Sequence, residues 1–544
     1  MNKKTIVILP LIVAISVAAG IIIGNLLKSN SQPVFTTLGH TRPNKLVTIL
    51  KLIEGGYVDT VNTSDLIEKA IPGILENLDP HTAYIPARNM QEVQEEMRGN
   101  FSGIGVQFSV QEDTVRVIEV VSGGPSSKVG ILPGDRIVTV NDSLIAGVGV
   151  ENTTVLNLLR GEKNTKVRVG IVRKGNSKVL DFEITRDDIP LISVDVSYMI
   201  DEETGFIKIN RFSEKTYHEF MQGMEKLAQS GAQKVIVDLR QNPGGSLSSV
   251  LQILDEFLEK GEPILYTEGL NQPRKTYNAS GRNRWKDMGV YVLIDEYSAS
   301  ASEIFAGAMQ DNDRGLVIGR RSFGKGLVQE QIPLADGSAL RLTVARFYTP
   351  SGRCIQKAYD EGNENYFLDL YARFDHQEHW TADSIHFNDS LKYLTRSGRT
   401  VYGGGGIMPD IFVPVDTSGN SKYFEQIYRK GLIYSFAYAY VDNHREALSE
   451  ISSAVELDQY LDAQNVLNEF VNYAREKGVA RDPEGLIKSK EMINTQLKAY
   501  ISRNIIGEEG FYPIIRKIDN TLLKTIEISK QNLVIAHVVR DSIQ

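Results

Sequence analysis

The sequence predicts a multidomain protein of α/β plus α+β class that begins with a membrane helix. Three observations support this class: an uncharged apolar run near the N-terminus, a change in apolar spacing from about 3.6 to 2 near Asn100, and alternating strands and helices at 190–414. A chain of 544 residues is also too long for one hydrophobic core. We expect a membrane helix at residues 1–28, a linker at 29–44, a helical region at 45–99, a β-rich module at 100–188, an α/β core at 189–415 and a helical C-terminal region at 416–544.

The composition is that of a globular protein and excludes several classes. Apolar residues make up 42% and charged residues 24%, which argues against global disorder. The net charge of −8 gives no electrostatic reason to expect a nucleic-acid partner. Cys354 is the single cysteine, so the chain has no intrachain disulfide and no all-cysteine zinc site.

The N-terminal segment has the length and charge pattern of a signal anchor. Residues 5–27 carry no charge and are numerous enough to span a hydrocarbon core of roughly 30 Å as a helix. Lys3 and Lys4 predict a cytoplasmic N-terminus, which places the following chain on the extracytoplasmic side. The alternative is a cleaved signal, since small residues stand at 18–20, although its apolar region is usually about 7–15 residues long.

The periodicity along the chain predicts its secondary structure. Region 45–99 is predicted helical, with a break at Asp79-Pro80-His81. The β-rich module is predicted to contain strands at 115–121, 136–140, 166–172 and 179–184, and a helix at 153–159. The core is predicted to alternate strands at 205–209, 234–239 and 290–294 with helices at 214–229, 248–259 and 302–310. This order indicates βαβ units and a parallel or mixed sheet.

Three serines stand where a predicted buried strand runs through a turn into a helix: Ser298, Ser300 and Ser302. A serine at such a junction lies beside the unpaired N–H groups of a helix N-terminus, which favour negative charge on a nearby oxyanion. The alternative is that these serines only cap the helix. This segment alone does not decide between the two.

A nucleophilic serine needs a base, and Lys325 is the candidate. None of the eight histidines stands in a context that marks it as a partner, and no G-x-S-x-G elbow occurs. Lys325 is flanked by Gly324 and Gly326, and burial beside apolar residues would lower the pKa of its amine so that it could accept a proton. The alternative is an ordinary solvated lysine.

Two glycine turns leave further alternatives open. The stretch Gly319-x4-Gly324-Lys325 nearly matches a phosphate-binding loop, but Gly326 stands where Mg²⁺ binding needs Ser or Thr. The turn at Gly244-Gly245 follows a predicted buried strand. Its N–H groups could serve as oxyanion donors, or the turn could be purely structural.

Four stretches together resemble the carboxyl-terminal processing proteases, also called tail-specific proteases of the S41 type. They run in family order from about residue 45 to 415. The segment from Asn77 to Tyr84 resembles the signature ahead of the PDZ domain, and Gly103 to Val106 with the Gly124-Pro125 and Pro133-Gly134-Asp135 turns resembles that domain. The other stretches are Ser298-Ala-Ser300-Ala-Ser302-Glu303 with Phe323-Gly324-Lys325-Gly326-x-x-Gln329, and Thr349-Pro350-Ser351-Gly352-Arg353 with Gly405-Gly406-Ile407-x-Pro409-Asp410.

The resemblance implies a catalytic assignment. Ser300 is then the nucleophile, Lys325 the general base and Gln329 a residue that orients the lysine. The oxyanion donors are expected to be the backbone N–H of Ala301 and one in the Gly244-Gly245 turn, whereas Asp311 is expected to be structural. No metal or organic cofactor is implied.

The resemblance also implies how substrates are selected. A PDZ domain adds an extended peptide to its sheet edge and binds the terminal carboxylate with the N–H groups of a loop, here Gly103, Ile104, Gly105 and Val106. The expected partners are proteins or peptides with accessible C-termini and, through the N-terminal helix, a membrane. A homodimer and a gating role of the PDZ domain are open alternatives.

The leading hypothesis is therefore a serine endopeptidase in the cell inner membrane, single-pass, with its catalytic part on the periplasmic side, that acts on exported proteins. The alternative is a non-catalytic, membrane-tethered PDZ scaffold. A nucleotide-binding protein is a third and weaker hypothesis. The segment at 360–400, which contains His376-Gln-Glu-His379, and the C-terminal region lie outside the family's motifs.

Overall fold

The computed structural model describes residues 44–111, 113–121, 123–173, 176, 178–385 and 389–531. The predicted membrane helix and all but the last residue of the predicted linker lie outside these residues. Within the described ranges, no helix is both long and apolar enough to cross a membrane. The chain divides into two compact units, residues 1–74 and 75–544.

The described part of the first unit is helical, as expected. Helix α1 is Lys45–Gly56 and helix α2 is Thr63–Leu75. The side chain of Asn44 caps α1 by accepting the N–H of Leu46 over 3.1 Å. Neither helix has a buried residue.

The β-rich module is built mainly around one antiparallel sheet. After β1 (Ala83–Ile85) and α3 (Met90–Arg98) come β2 (Asn100–Gly103), β3 (Val106–Gln111), β4 (Thr114–Val120), α4 (Pro125–Lys128), β5 (Arg136–Val140), β6 (Ser143–Leu144), α5 (Asn152–Leu159), β7 (Lys166–Val172), β8 (Leu180–Thr185) and β9 (Asp187–Pro190). The sheet order is β3-β4-β5-β7-β8, with β6 on β5, while β2 pairs with β9. The predicted strands and helix are confirmed to within one residue at each end.

The described part of the core contains two larger sheets and one two-stranded sheet. Its elements are β10 (Val194–Met199), β11 (Thr204–Ile209), α6 (Thr216–Gln229), β12 (Lys234–Asp238), α7 (Leu247–Leu254), β13 (Pro263–Glu268), β14 (Lys275–Asn278), β15 (Gly289–Ile294), α8 (Ala301–Asp311), β16 (Leu316–Gly319), β17 (Leu327–Pro333), β18 (Ala339–Tyr348), α9 (Asn363–Asp375), β19 (Lys392–Leu394), β20 (Thr400–Tyr402) and β21 (Ile411–Phe412). One sheet has the order β10-β11-β12-β15-β16-β21 and is parallel except between β10 and β11. The expectation of a parallel or mixed sheet is thus confirmed, and the sheet is mixed.

The second sheet is antiparallel and has the order β1-β18-β13-β14, with β17 also paired with β18. Strand β1 was not predicted. It comes from the break in the predicted helical region at Asp79-Pro80-His81, and its pairing with β18 joins this segment to the second sheet of the core. A three-residue strand is too short to give a period-2 signal.

The C-terminal region is helical, as predicted: α10 (Lys422–Arg429), α11 (Leu432–Asn443), α12 (Arg445–Leu448), α13 (Ala454–Ala463), α14 (Val466–Glu476), α15 (Pro483–Ile506), α16 (Glu508–Ile515) and α17 (Asn520–Lys530). Its last helices cover one face of the mixed sheet, where Leu522 and Ile528 pack against Ile236. The other face, with Val235 and Val237, packs against α6, α7 and α8. Because successive strand residues point to opposite faces, β12 is buried on both sides.

One predicted helix is shorter than expected. Helix α7 ends at Leu254 rather than at residue 259. Asp255 accepts the N–H of Ser280 over 2.5 Å, and Glu256 pairs with Arg284 over 2.8 Å. These tertiary contacts fix the chain in turns after Leu254, where local propensity alone favours helix.

Candidate active site

The three serines of the strand-to-helix turn have different environments. Ser298 is buried and its hydroxyl donates to the carbonyl of Leu239 over 2.8 Å. Ser302 is also buried and donates to the carbonyl of Asn242 over 3.0 Å. Ser300 is partly exposed, and its hydroxyl accepts the N–H of Glu303 in a capping box but donates to no other described residue. Of the three, only Ser300 offers a hydroxyl free to react.

Ser300 has a strained backbone, with φ of 54° and ψ of −110°. A positive φ in a residue with a side chain costs of the order of 1–3 kcal/mol and persists only where surrounding contacts impose it. The main contact is Glu303, the third residue of α8, whose Oε2 accepts the N–H of Ser300 over 2.8 Å. The turn therefore presents the serine at the helix N-terminus, as the sequence predicted.

Glu303 joins the serine turn to the lysine loop. Its Oε2 also accepts the N–H of Lys325 over 2.8 Å, and its Oε1 accepts the N–H of Gly324 and the hydroxyl of Ser322 over 2.7 and 2.5 Å. Burial raises the pKa of Glu303 to about 7, although these four donors act in the opposite direction. Glu303 belongs to the Ser298–Glu303 motif, but its contacts with both loops depend on tertiary structure and have no signal in the sequence.

Lys325 has the environment that a lysine base requires. Burial lowers the pKa of its amine, and the charge of Arg341 lowers it further, while Glu303 and Asp79 act in the opposite direction. Among the described residues, the amine of Lys325 forms no hydrogen bond and the hydroxyl of Ser300 donates none. The structure brings the two loops together without a hydrogen bond between the two side chains.

Gln329 lies in a polar network beside this lysine. A bulge between Val328 and Gln329 interrupts the pairing of β17 with β18. The amide of Gln329 donates to the hydroxyl of Thr343 over 3.2 Å, and that hydroxyl donates to Asp79 Oδ1 over 2.9 Å. No hydrogen bond joins Gln329 to Lys325 within the described ranges, so its orienting role stays a prediction.

His81 is a residue of the site that the sequence did not single out as a functional histidine. Its Nε2 is hydrogen-bonded to the hydroxyl of Tyr366 over 2.9 Å. Burial lowers its pKa to about 4, and the nearby charge of Lys325 contributes to this shift. His81 is therefore a neutral neighbour of the lysine at physiological pH. Its signal was the Asn77–Tyr84 motif, which carried no assigned role.

The glycine turn after β12 packs directly against Ser300. A Cβ on Gly244, whose φ is 98°, would lie 2.8 Å from both Ser300 Cβ and the nitrogen of Ala301. The N–H of Gly244 is engaged, since it donates to Asn242 Oδ1 over 2.9 Å. The N–H groups of Gly245 and Ala301 have no acceptor among the residues that the structure describes. Gly245 is exposed, which leaves its N–H open to a ligand.

Asp311 lies at the C-terminal end of α8, away from Ser300. It forms an ion pair of 2.7 Å with Arg353, and both side chains are fully buried. Its other oxygen accepts the hydroxyl of Ser351 over 2.7 Å. These contacts fix the Thr349–Arg353 turn, which agrees with the structural role expected for Asp311.

The loop that resembles a phosphate-binding motif is not one. Residues after Lys325 form strand β17, whereas a phosphate-binding loop leads into a helix whose N-terminal N–H groups bind the phosphate. The carboxylate of Glu303 accepts the N–H groups of Gly324 and Lys325. The N–H groups of Gly324 and Lys325 are therefore not free to bind a phosphate. The nucleotide-binding hypothesis assumed a phosphate-binding loop here, and that assumption is wrong.

The predicted peptide-binding loop lies between β2 and β3. Gly103 ends β2, Val106 begins β3, and Gly105 has a φ of 72°. The N–H groups of Ile104 and Gly105 have no acceptor within the described part of the chain. A groove of about 520 Å³ runs beside β3 and α5, lined by apolar residues that include Phe101, Val106, Phe108, Leu156, Ile189 and Ile192.

Comparisons with known proteins agree with this architecture. Residues 203–362 match Peptidase family S41, residues 102–184 match the PDZ domain, and residues 423–507 match a family of unknown function, DUF8443. A PDZ domain binds peptide C-termini, which fits the groove beside β3. The match to the third family covers most of the C-terminal helical region.

Similar proteins have related names. The carboxy-terminal-processing protease of Bartonella bacilliformis is 36% identical over 313 residues, which are 57% of this chain and 71% of that protein. Carboxy-terminal processing protease CtpB of Bacillus subtilis is 34% identical over 317 residues, 58% of this chain and 65% of its own length. The solved photosystem II D1 C-terminal processing protease is 26% identical, with a TM-score of 0.33 over 57% of this chain and 89% of that one. The chain belongs to peptidase family S41 and is a carboxy-terminal processing serine protease with a PDZ domain.

Proposed function

We propose that the protein is an endopeptidase that cleaves exported proteins selected through their C-termini, with Ser300 as nucleophile and Lys325 as general base. In this proposal residues 5–27 anchor the chain in the inner membrane, and the catalytic part faces the periplasm. The PDZ groove beside β3 binds the substrate tail, with its carboxylate at Ile104 and Gly105. No metal or organic cofactor takes part in this chemistry.

The observation that carries the proposal is the joint position of Ser300 and Lys325. Their backbone N–H groups donate to the same oxygen of Glu303, each over 2.8 Å. One loop presents the hydroxyl of Ser300 and the other the amine of Lys325. Both residues are partly exposed, and desolvation lowers the pKa of the amine. A PDZ scaffold without catalytic activity has no use for this pairing.

The chemistry follows from these groups. Neutral Lys325 accepts the proton of the Ser300 hydroxyl as the oxygen attacks the scissile carbonyl, and the protonated amine then gives this proton to the leaving nitrogen. The N–H groups of Gly245 and Ala301 are the proposed donors to the oxyanion, because both lack another acceptor, whereas Gly244 is engaged by Asn242. A water molecule then hydrolyses the acyl-enzyme, with Lys325 again acting as base.

Proteolysis of an unstructured polypeptide with a free C-terminus tests the proposal. Ser300→Ala and Lys325→Met should each abolish cleavage while leaving the folded state and tail binding intact. Ser302→Ala is the matched control, because its hydroxyl is buried and bonded to a carbonyl. We expect this control to lose stability and to keep its catalytic rate constant. Cleavage by Ser300→Ala or Lys325→Met at the wild-type rate would contradict the assignment.

A further inference from the structure

Helix α9 and the turn that follows it lie outside the family's motifs but adjoin the catalytic residues. At one end, the hydroxyl of Tyr366 is hydrogen-bonded to His81 over 2.9 Å, and the carbonyl of Tyr366 accepts the amine of Lys357 over 2.9 Å. At the other end, His379 Nδ1 lies 3.8 Å from Glu296, which precedes Ser300 by four residues. This segment is therefore attached on both sides of the catalytic pair.

One face of α9 is aromatic and exposed. Phe367, Tyr371 and Phe374 follow the spacing i, i+4, i+7, which puts them on one side of a helix. Their exposed fractions are 49%, 72% and 55%. We call these three residues the aromatic face of α9. Three large aromatic side chains together in water mark an interaction surface, in contrast to single exposed apolar residues.

The aromatic face is continuous with the catalytic residues. The ring of Phe367 lies 6.3 Å from that of His81, which adjoins Lys325. The ring of Phe374 lies 5.9 Å from that of His379, whose Nδ1 lies 3.8 Å from Glu296, the residue before Tyr297. Tyr297 is itself half-exposed and lies in the turn that carries Ser300. The surface thus leads from the lysine side of the site to the serine side.

The attachment of α9 is rigid enough to present this face. Arg373 is buried and donates to the carbonyls of Ser322 and Phe323 over 2.8 and 3.0 Å, in the loop that leads to Lys325. Phe374 packs edge-on against Trp380, with ring centres 4.7 Å apart. The face is therefore a fixed part of the site and differs in this from a solvated helix surface.

We propose that the aromatic face of α9 binds apolar side chains of the substrate polypeptide next to the scissile bond, and so gives the protease a preference for unfolded segments rich in apolar residues. This inference rests on the proposed function and adds a second recognition site to the PDZ groove. Aromatic side chains suit this role, because they supply a large contact area at low cost in conformational entropy. In a folded substrate such apolar side chains are buried and cannot reach the surface.

The test measures binding without turnover, in the Ser300→Ala background. Two labelled unstructured peptides share one C-terminal tail and differ upstream, where one carries Leu and Phe and the other Ser and Asn. We expect Ser300→Ala to bind the apolar peptide about tenfold more tightly in fluorescence anisotropy, a typical contribution of aromatic anchors. Adding Phe367→Ser and Tyr371→Ser should remove this preference and leave the affinity for the polar peptide unchanged.

Two matched variants control for the substitutions. Tyr428→Ser removes a tyrosine of similar exposure, 70%, from helix α10 and should keep the preference. Tyr371→Phe keeps the aromatic ring and should therefore also keep the preference for the apolar peptide. In the enzyme with Ser300 intact, Phe367→Ser with Tyr371→Ser should raise KM for the apolar peptide about tenfold with little change in kcat.

An equal loss of affinity for both peptides, or no loss for either, would overturn the inference. A different result would contradict the proposed function without contradicting the aromatic binding surface. If the Ser300 enzyme cleaves neither peptide but Ser300→Ala retains the preference, the proposed function fails and the binding surface stands.

Discussion

Ser300 and Lys325 donate their backbone N–H groups to the same oxygen atom, Oε2 of Glu303, each over 2.8 Å. The two residues are 25 positions apart in the sequence, on a helix N-terminus and on the loop before β17. One buried carboxylate therefore sets the separation of the proposed nucleophile and base. The same carboxylate stabilises the positive-φ backbone conformation of Ser300 by accepting its N–H.

Glu303→Gln should uncouple the two loops. Each carboxylate oxygen of Glu303 accepts two hydrogen bonds, and the amide nitrogen of a glutamine can only donate. On the Oε2 side the amide nitrogen would face the N–H groups of Ser300 and Lys325, whereas on the Oε1 side the hydroxyl of Ser322 can rotate to accept and only the N–H of Gly324 loses its acceptor. At least one buried N–H is therefore left unpaired, at a cost of about 1–3 kcal/mol in the free energy of unfolding. We expect kcat to fall at least a hundredfold, because both loops shift. Chemical denaturation and steady-state kinetics measure the two effects.

Glu256→Gln is the control for this prediction. Glu256 is buried and pairs with Arg284, but it contacts neither catalytic loop. Its variant should lose a similar amount of stability and keep kcat within about twofold. If both variants lost kcat in proportion to stability, the special role of Glu303 would be refuted.

Gly244→Ala should inactivate the protein through a direct clash. An alanine Cβ would lie 2.6 Å from the carbonyl oxygen of Ala299 and 2.8 Å from Ser300 Cβ, and the φ of 98° adds strain. We expect a loss of at least about 3 kcal/mol in stability and no detectable proteolysis. Thermal unfolding measures the loss of stability, and cleavage of an unstructured substrate measures the loss of proteolysis.

Gly261→Ala is the control that distinguishes backbone strain at a positive φ from the steric clash expected at Gly244. Gly261 has a similar φ of 87°, but a Cβ there meets no atom within 4 Å. Its variant should cost only about 1 kcal/mol and remain active. Equal losses for the two alanine variants would mean that the backbone conformation, and not contact with the nucleophile, decides the effect.

The sequence was enough to predict most of the elements, because these depend on local pattern. Apolar runs predicted the buried strands β12 and β15, whereas the choice of Ser300 among the three serines came from the resemblance and stays a prediction. Choosing between Gly244 and Gly245 was beyond the sequence, since the engagement of the Gly244 N–H by Asn242 is a tertiary contact. For the same reason strand β1, which pairs far along the chain with β18, could not be predicted.

The surroundings of Lys325 were also out of reach of the sequence. Asp79 lies more than 240 positions earlier in the chain and reaches the site only through β1 and its contact with Thr343. Arg341 lies on β18, opposite Ala83 of β1, and its positive charge lowers the pKa of Lys325. The position of this charge depends on how the strands pair. A sequence pattern gives residue types and spacing, but the electrostatic environment of a buried amine depends on which distant strands pair.

The pH dependence of proteolysis should report the charge of Arg341. The proposed base, Lys325, can accept a proton only when neutral, so kcat/KM should rise with pH through the pKa of Lys325 in the free enzyme. Burial lowers this pKa, and the positive charge of Arg341 lowers it further. Arg341→Gln removes that charge, which raises the pKa of Lys325 and moves the acid limb of the profile to higher pH. Activity should be reduced at neutral pH and should recover in alkaline buffer.

Arg341→Lys keeps the positive charge and is the control for the profile. In this variant the acid limb of the kcat/KM profile should stay close to that of the wild type, whatever the value of kcat/KM on the alkaline plateau. An acid limb that stays in place or moves to lower pH in Arg341→Gln would show that Arg341 does not act on the base through its charge.

The C-terminal region should support the glycine turn of the site through Asp519. Arg240, which precedes the Asn242–Gly245 turn, donates to both oxygens of Asp519 over 2.8 and 2.6 Å. Asp519 also caps α17 by accepting the N–H of Leu522 over 3.0 Å. Asp519→Asn keeps the cap but removes the charge and one acceptor. We expect a loss of about 1–3 kcal/mol in the free energy of unfolding and a lower kcat, because the turn that holds Gly245 is less well fixed.

Glu509→Gln is the matched control from the same region. Glu509 pairs with Lys226 on α6 over 2.8 Å, but both side chains are more than half exposed. Such a pair contributes at most about 1 kcal/mol, so this variant should change neither stability nor kcat appreciably. Denaturant unfolding and kcat on one substrate, measured side by side, distinguish the two positions. If Asp519→Asn lost stability but kept full kcat, the C-terminal region would stabilise the fold without positioning the oxyanion donors.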